Sequence, residues 1–407
     1  MNKIPKSAYV HIPFCHRRCF YCDFAVIPLG NKVETTLGYG SKTVKEYLHY
    51  LYKEILSIKH KSSLSTIYIG GGTPSILDPK QIKELIDLFK ENFGIDYGAE
   101  ITMEVDPASF NQDDLYGFIN AGINRLSLGV QSFNNQILQN SGRRHLTEDA
   151  EKSCLWLKSV FDSGLIKSWS LDLIQNLPLC GFQEWQDDLK KAIAFSPPHL
   201  SIYDLNIEDG TVFKKLFNLG KLEIPSDEEA FRNSQSTHII LKESGYARYE
   251  ISNYCLPRHQ SRHNRVYWSG SGWWGFGQGS TSSPWGVKFT RPRISKEYKE
   301  WVIGQYELNL DASLINKKFV YKELDEKIML GLRLKEGVDI YEVFKKQNWE
   351  NKKFESNLSK LLKKWERFLE SGLLVRKGNR FFLSDPKGME LSNQILIAMF
   401  KWWDEIN

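Results

Sequence analysis

Apolar residues recur in the first half of the chain with two alternating periods. Short runs rich in β-branched and aromatic residues read as strands: Tyr9–Phe14, Thr66–Ile69, Ile101–Val105, Arg125–Val130, Ser168–Ile174 and Leu200–Leu205. Between them the apolar positions fall at helical spacing. Thr43–Ile58 puts Val44, Leu48, Leu51, Ile55 and Ile58 on one face, and Asp78–Phe93 does the same with Ile82, Leu85, Ile86 and Phe89. Polar starts at Asn111–Asp114 and Thr147–Asp149 look like helix N-caps. Strands alternating with helices predict βαβ units and a mainly parallel sheet. The fold class is therefore α/β. Six such units fit an open, partial (β/α)6 barrel better than a closed eight-fold one, with the chemistry at the C-terminal ends of the strands.

From about Gly210 the pattern loosens. Arg248–Tyr254 reads as one more strand, and Ser269–Gly286, rich in glycine, serine and large aromatics, as an ordered loop packed on something flat. Helical sequence resumes at Ser295. An amphipathic Phe354–Leu369 ends at Ser371-Gly372, and Leu373–Val375 and Phe381–Leu383 flank a Gly378-Asn379 hairpin turn. This predicts a C-terminal α+β appendage resembling a winged helix. The expected division is 1–210 for the barrel core, 211–310 for an extension and 311–407 for the C-terminal unit.

Composition leaves this picture unchanged. With 41% hydrophobic and 25% charged residues over 407 positions, the chain suits a soluble globular protein with a large core. The net charge of +5 is uneven. Lys317–Arg380 carries 17 Lys/Arg against 10 Asp/Glu, an excess of +7. A basic winged-helix-like region can bind nucleic acid, but a lysine-rich helix surface is more often simply solvated. No nucleic acid is expected, and docking onto the barrel or an acceptor protein is the preferred role. No apolar run approaches the ~20 residues that span a bilayer, and the N-terminus lacks the apolar core of a signal peptide. A cytoplasmic location is expected.

Three of the six cysteines, Cys15, Cys19 and Cys22, form a C-x3-C-x2-C cluster just after the first strand. Chance packing accounts poorly for a triple cluster. Structural zinc needs four ligands, and His11 or His16 would have to supply the fourth. Attachment of c-type haem needs C-x-x-C-H, and Asp23 follows Cys22 here. The remaining reading is a [4Fe–4S] cluster, which ordinarily takes four thiolates. Three leave one iron open to a small molecule.

C-x3-C-x2-C after a first strand resembles the radical S-adenosylmethionine (SAM) superfamily. The phrases YVHIPFC and CFYCDF resemble its oxygen-independent coproporphyrinogen III oxidase-like family, and the likeness runs from Tyr9 into the C-terminal appendage. It implies SAM contacts from Tyr9, Tyr21, Gly71, Gly72, Thr73, Glu104, Gln131, Arg143 and Asp172, with Arg144 as a neighbouring decoy. Without the resemblance, the glycines fit an ordinary strand-to-helix turn, and Glu104 and Asp172 fit structural hydrogen bonds at the barrel rim. The oxidase form of the family has a fourth cysteine two residues beyond the third and a longer N-terminal extension. Here that position is Phe24, and eight residues precede Tyr9. Both departures argue for the haem chaperone (HemW-type) branch, and His263-Asn264-Arg265-Val266-Tyr267-Trp268 resembles its HN-x-x-YW phrase. The resemblance implies a haem site at His263, Tyr267 and Trp268, a haem acceptor protein and an electron donor for the cluster. His263 fits a structural histidine equally well, and His259, His145 and Cys255 are rival axial ligands. Residues Trp273, Trp274 and Phe276 fit either an apolar cover for a porphyrin or a cap on the barrel. The alternative function is the oxidase, a radical oxidative decarboxylation of propionate side chains, and no catalytic residue is assigned.

Overall fold

The computed structural model of the protein describes residues 4–30, 41–59, 61–286, 288–308, 324–347 and 349–406. All six expected strands are present. β1 (Ser7–Ile12), β2 (Leu64–Gly71), β3 (Ile95–Val105), β4 (Arg125–Gln131), β5 (Ser168–Gln175) and β6 (His199–Asp204) pair in parallel in chain order. The intervening helices include α1 (Lys42–Ser57), α2 (Pro79–Asn92), α3 (Gln112–Asn120), α4 (Thr147–Asp162) and α5 (Phe182–Ala194). The faces of α1 and α2 are those expected: Val44, Leu48, Leu51 and Ile55, then Ile82, Leu85, Ile86 and Phe89, are all buried. Asp78 and Asn111 close capping boxes at the starts of α2 and α3. Thr147, expected in a cap, is instead the first helical residue of α4, and the Asp149 carboxylate accepts the Leu146 N–H at 2.9 Å.

Two expectations need correction. Arg248–Tyr254 is not one strand. It turns back on itself as β7 (Ala247–Arg248) and β8 (Asn253–Cys255), antiparallel to each other, and β8 runs antiparallel to β6. Ser269–Gly286 is not a loop throughout, because β9 (Trp274–Phe276) pairs in parallel with β1 at the opposite edge of the sheet. Trp274 and Phe276 are fully buried in the barrel core, so they serve the sheet rather than cover a ligand.

The strands alternate along most of their length. On β4, Leu126, Leu128 and Val130 join the apolar layer beneath the helices, and the intervening Arg125, Ser127, Gly129 and Gln131 face the barrel interior. The same period places Ser168, Ser170 and Asp172 of β5 inside, with His199 and Ser201 of β6 beside them. Hydrogen bonds cross this lumen. Ser170 Oγ bonds Asp172 Oδ1 at 2.7 Å, His199 Nδ1 at 2.8 Å and Ser201 Oγ at 3.1 Å.

The C-terminal region has its own core, built on Ile328, Trp365, Phe381 and Trp402. Its helices Leu324–Leu332, Ile340–Lys345 and Asn351–Glu370 pack with a hairpin, Leu374–Lys377 and Arg380–Leu383, whose turn is the expected Gly378-Asn379. A third strand, Val338–Asp339, pairs with the second arm. Polar contacts tie this unit to the barrel side: Glu390 accepts from Ser234 Oγ at 2.7 Å and Gln235 Nε2 at 2.8 Å, and Asp385 pairs with Arg248 at 3.5 Å. The expected boundary at 310/311 lies outside the described residues. Among the described residues no helix is long and apolar enough to cross a membrane.

Candidate functional site

The cysteine loop leaves the C-terminal end of β1. Cys15 ends a two-residue strand, Phe14–Cys15, that pairs in parallel with Ile27–Pro28. Between these, Cys22 N–H donates to Cys19 O at 3.2 Å and Phe20 N–H reaches Ser141 O at 3.0 Å. Arg18 Nε donates to Cys22 O at 2.9 Å. The loop is thus tied to itself and to the segment between β4 and α4. All three thiols are free and half-buried. Among the described residues no three His, Cys, Asp or Glu side chains converge closely enough to hold a single metal ion. The three cysteines instead border one cavity of about 320 Å³ at the mouth of the barrel.

Gly71, Gly72, Thr73, Glu104, Gln131, Arg143, Asp172 and Tyr21 line that same cavity. Gly72 has no room for a side chain: a Cβ would lie 2.6 Å from Phe14 O and 2.8 Å from Cys15 Sγ. Gly71 has φ +118°, a conformation that disfavours side chains, and its N–H donates to Glu104 Oε2 at 3.0 Å. Thr73 Oγ1 donates to Cys15 Sγ at 3.6 Å, and Arg143 Nη1 to Cys19 Sγ at 3.7 Å. Burial pushes the Cys15 thiol up to about 12, against the Thr73 hydroxyl, and also raises Cys22. A metal taking these thiols as thiolates must therefore displace protons.

Glu104 sits on the inner face of β3. Burial raises its carboxyl to about 7, although Tyr68 Oη donates to it at 2.8 Å and the Gly71 N–H opposes the rise. Asp172 is likewise raised by burial, against Ser127 and Ser170 hydroxyls at 2.7 Å. Gln131 reaches the cavity through a register irregularity between β4 and β5 and has φ +69°. Such bulges re-aim side chains near functional sites. Arg143 pairs with Asp106 and donates to Gly129 O at 2.7 Å. Burial alone would raise Asp106, but Arg143 and His145 hold it below the ordinary carboxylate range. Arg144 also borders the cavity, but it bonds His16 Nδ1 on the exposed side rather than a cysteine.

Tyr9 does not reach the cavity wall. Its ring stacks on Tyr68 with centroids 6.1 Å apart, and its hydroxyl bonds His11 Nδ1 at 3.0 Å. It lies one layer behind the tyrosine that holds Glu104. Tyr68, Asp106 and Ser127 were missed from the sequence. Each lies two residues from a residue of the same strand face that was singled out or close to it (Gly70, Glu104, Gly129), and that period was the available signal.

None of the haem candidates lines the cysteine cavity. His263 is the second residue of the helix α6 (Arg262–Trp268) and is fully buried. Its Nδ1 bonds Thr66 Oγ1 and its Nε2 bonds Tyr267 Oη, both at 2.9 Å. Burial, then the Arg125 cation, holds it neutral, down at about 3. Both ring nitrogens are engaged in the fold, as the structural alternative for this histidine expects. Among the rivals, His145 bonds Val130 O, Cys255 is buried in β8, and half-buried His259 uses Nδ1 on Ser168 Oγ at 3.2 Å. Trp268 behaves differently. It lines a cavity of about 740 Å³ between the barrel's N-terminal end and the C-terminal unit, with Trp285, Val266, Leu330 and Val343.

Residues 9–170 match the radical SAM superfamily, and residues 322–391 match the HemN C-terminal domain. The chain is 37% identical to the heme chaperone HemW of Synechocystis, over 99% of this chain and 98% of that protein. It belongs to the HemW family of radical SAM proteins. A second member, the heme chaperone HemW of Lactococcus lactis, is 31% identical over 97% of both chains. In fold, this HemW-family chain resembles the coproporphyrinogen III oxidase HemN of Escherichia coli, with a TM-score of 0.77 over 97% of this chain and 90% of that one, at 23% identity.

Proposed function

We propose that this chain is a haem chaperone that carries a [4Fe–4S] cluster and SAM and passes haem to an acceptor protein. The supporting observation is its similarity, along essentially its whole length, to proteins named heme chaperone HemW. Phe24 agrees with it, because this exposed phenylalanine borders the cysteine cavity at the position where the oxidase pattern has its fourth cysteine.

Three free thiols around one cavity, two of them hydrogen-bonded to Thr73 and Arg143, fit a [4Fe–4S] cluster. Cys15, Cys19 and Cys22 would hold it, and it would supply one iron with an open coordination position for a chelating ligand. The chain's own groups suit the methionine end of SAM. Glu104 offers a carboxylate to an ammonium, Gly72 lets the Cys15 strand pack close beside the cavity, and Arg143, braced by Asp106, offers a cation. Asp172 and Gln131, on the two neighbouring strands, offer acceptors for hydroxyl groups. For haem, Trp268 has access to a cavity of porphyrin size, and His263 and Tyr267 hold α6 in place.

Anaerobic reconstitution with iron and sulfide, followed by haem titration and a coproporphyrinogen III turnover assay, tests the proposal. A one-to-one haem complex without turnover is expected. SAM-dependent formation of protoporphyrinogen IX would overturn it. Within that experiment, Trp268→Ala should weaken haem binding at least severalfold and leave the iron–sulfur absorbance unchanged.

A further inference from the structure

We propose that the floor of the barrel holds a second ligand site, for one compact oxyanion: either the carboxylate of a larger molecule or free phosphate. The site is built on Arg125 with Arg258, Arg262 and Lys167. A cavity of about 150 Å³ opens there, among the N-terminal ends of β4 and β5 and the segment leading into α6. It lies at the opposite end of the strands from the cysteine loop.

Arg125 carries the argument. It is the first residue of β4, faces the lumen and is 3% exposed. Its Nε and Nη2 are buried and have no hydrogen-bond partner. Two buried guanidinium nitrogens without a partner are strongly unfavourable, and buried charges are ordinarily paired. No carboxylate around it bonds Nε or Nη2, although Asp172 is near enough to feel the Arg125 cation. Glu100, the one carboxylate in the wall, has its oxygens committed to the Arg262 N–H at 3.0 Å, the His263 N–H at 2.9 Å and the Ser261 hydroxyl. His263 is bonded at both nitrogens, and so is His199, to Ser170 and Tyr249. Asp172 accepts from Ser127 and Ser170.

The rim adds more positive charge. Arg262 is fixed beside the opening by donating from Nη1 to Gly98 O at 2.9 Å, and Lys167 Nζ reaches Ala99 O at 3.3 Å. Arg258 lines the cavity as well, from a left-handed backbone position, φ +73°. Four cations thus face one carboxylate that is already satisfied. A planar guanidinium fork matches carboxylate or phosphate in two parallel hydrogen bonds. The volume corresponds to about five waters at ~30 Å³ each. That holds one oxyanion with some water and excludes a porphyrin ring.

The test uses the full chain and inorganic phosphate at constant ionic strength, read by broadening of the phosphorus NMR line. Arg125→Met should lower phosphate affinity at least tenfold. The exposed variants Arg258→Ala and Arg262→Ala should lower it severalfold, and they serve if Arg125→Met fails to fold. A second arm titrates haem and haem dimethyl ester with and without phosphate. If the ester binds more weakly than haem and phosphate competes with haem, the occupant is a porphyrin carboxylate. If phosphate binds and haem ignores it, the occupant is free phosphate. The phosphate arm stands whether or not the protein binds haem. No phosphate broadening together with equal binding of haem and its ester would overturn the proposal and leave a floor that holds water.

Discussion

Glu104 shows how one residue can tie binding to pH. Its folded-state value of about 7 lies above the ordinary ~4.3, with burial as the cause. A carboxyl raised in this way favours the fold when protonated. That contribution is complete below about pH 4.3 and is lost as pH rises through 7. An ammonium ligand needs the opposite form, so SAM binding to the reconstituted protein should strengthen between pH 6 and pH 8. Calorimetry on wild type and Glu104→Gln would show it. The variant should lose the pH dependence and bind on the order of 10- to 100-fold more weakly, the range for a charge-assisted bond of about 1.5–3 kcal/mol. Residues of this kind were legible because a carboxylate within an apolar strand is conspicuous. Tyr68 and Asp106 were not, because they act by holding Glu104 and Arg143, and partnership across strands leaves no mark in a linear sequence. His263 was legible as a motif, with Tyr267 four residues on, but not in its use, because its other partner, Thr66, comes from a distant strand.

At the level of elements, the turn from β2 into the cavity is the tightest part of the site. Gly72→Ala would drive a methyl against Phe14 O and Cys15 Sγ. The short strand that carries Cys15 must then shift. The expected result is less iron per chain after reconstitution, with far-UV circular dichroism unchanged. Full iron occupancy in the variant would show that the strand yields easily. The six barrel strands were readable because each is long and alternates. β9 was hidden because only three of its residues pair, Trp274 to Phe276, inside a glycine- and serine-rich stretch. The β7–β8 reversal was hidden because Arg248–Tyr254 has the composition of a single strand, and the turn at Ile251-Ser252 carries no glycine or proline.

Over the whole molecule, the two ends of the barrel are chemically separate. The three thiols gather at the mouth, among carboxylates and arginines, and the Trp-lined cavity and the small Arg125 cavity lie toward the floor. Replacing Cys15, Cys19 and Cys22 together by Ala should therefore abolish the iron–sulfur absorbance and leave haem affinity within about twofold. Parallel visible spectra and haem titrations of the two proteins would check this. Between the ends runs the hydrogen-bonded lumen, and it sets how the protein tolerates mutation. An apolar core accepts swaps of similar volume, usually at under ~1.5 kcal/mol, so Leu128→Met should be mild. Ser170 offers no such latitude: its hydroxyl serves Asp172, His199 and Ser201 at once. Ser170→Ala removes a single atom and should cost about 1–3 kcal/mol in urea unfolding. Sequence drift in this protein should then be permitted on the outer faces of its strands and arrested on the inner ones, where each side chain is fixed by its partner's chemistry more than by its own size.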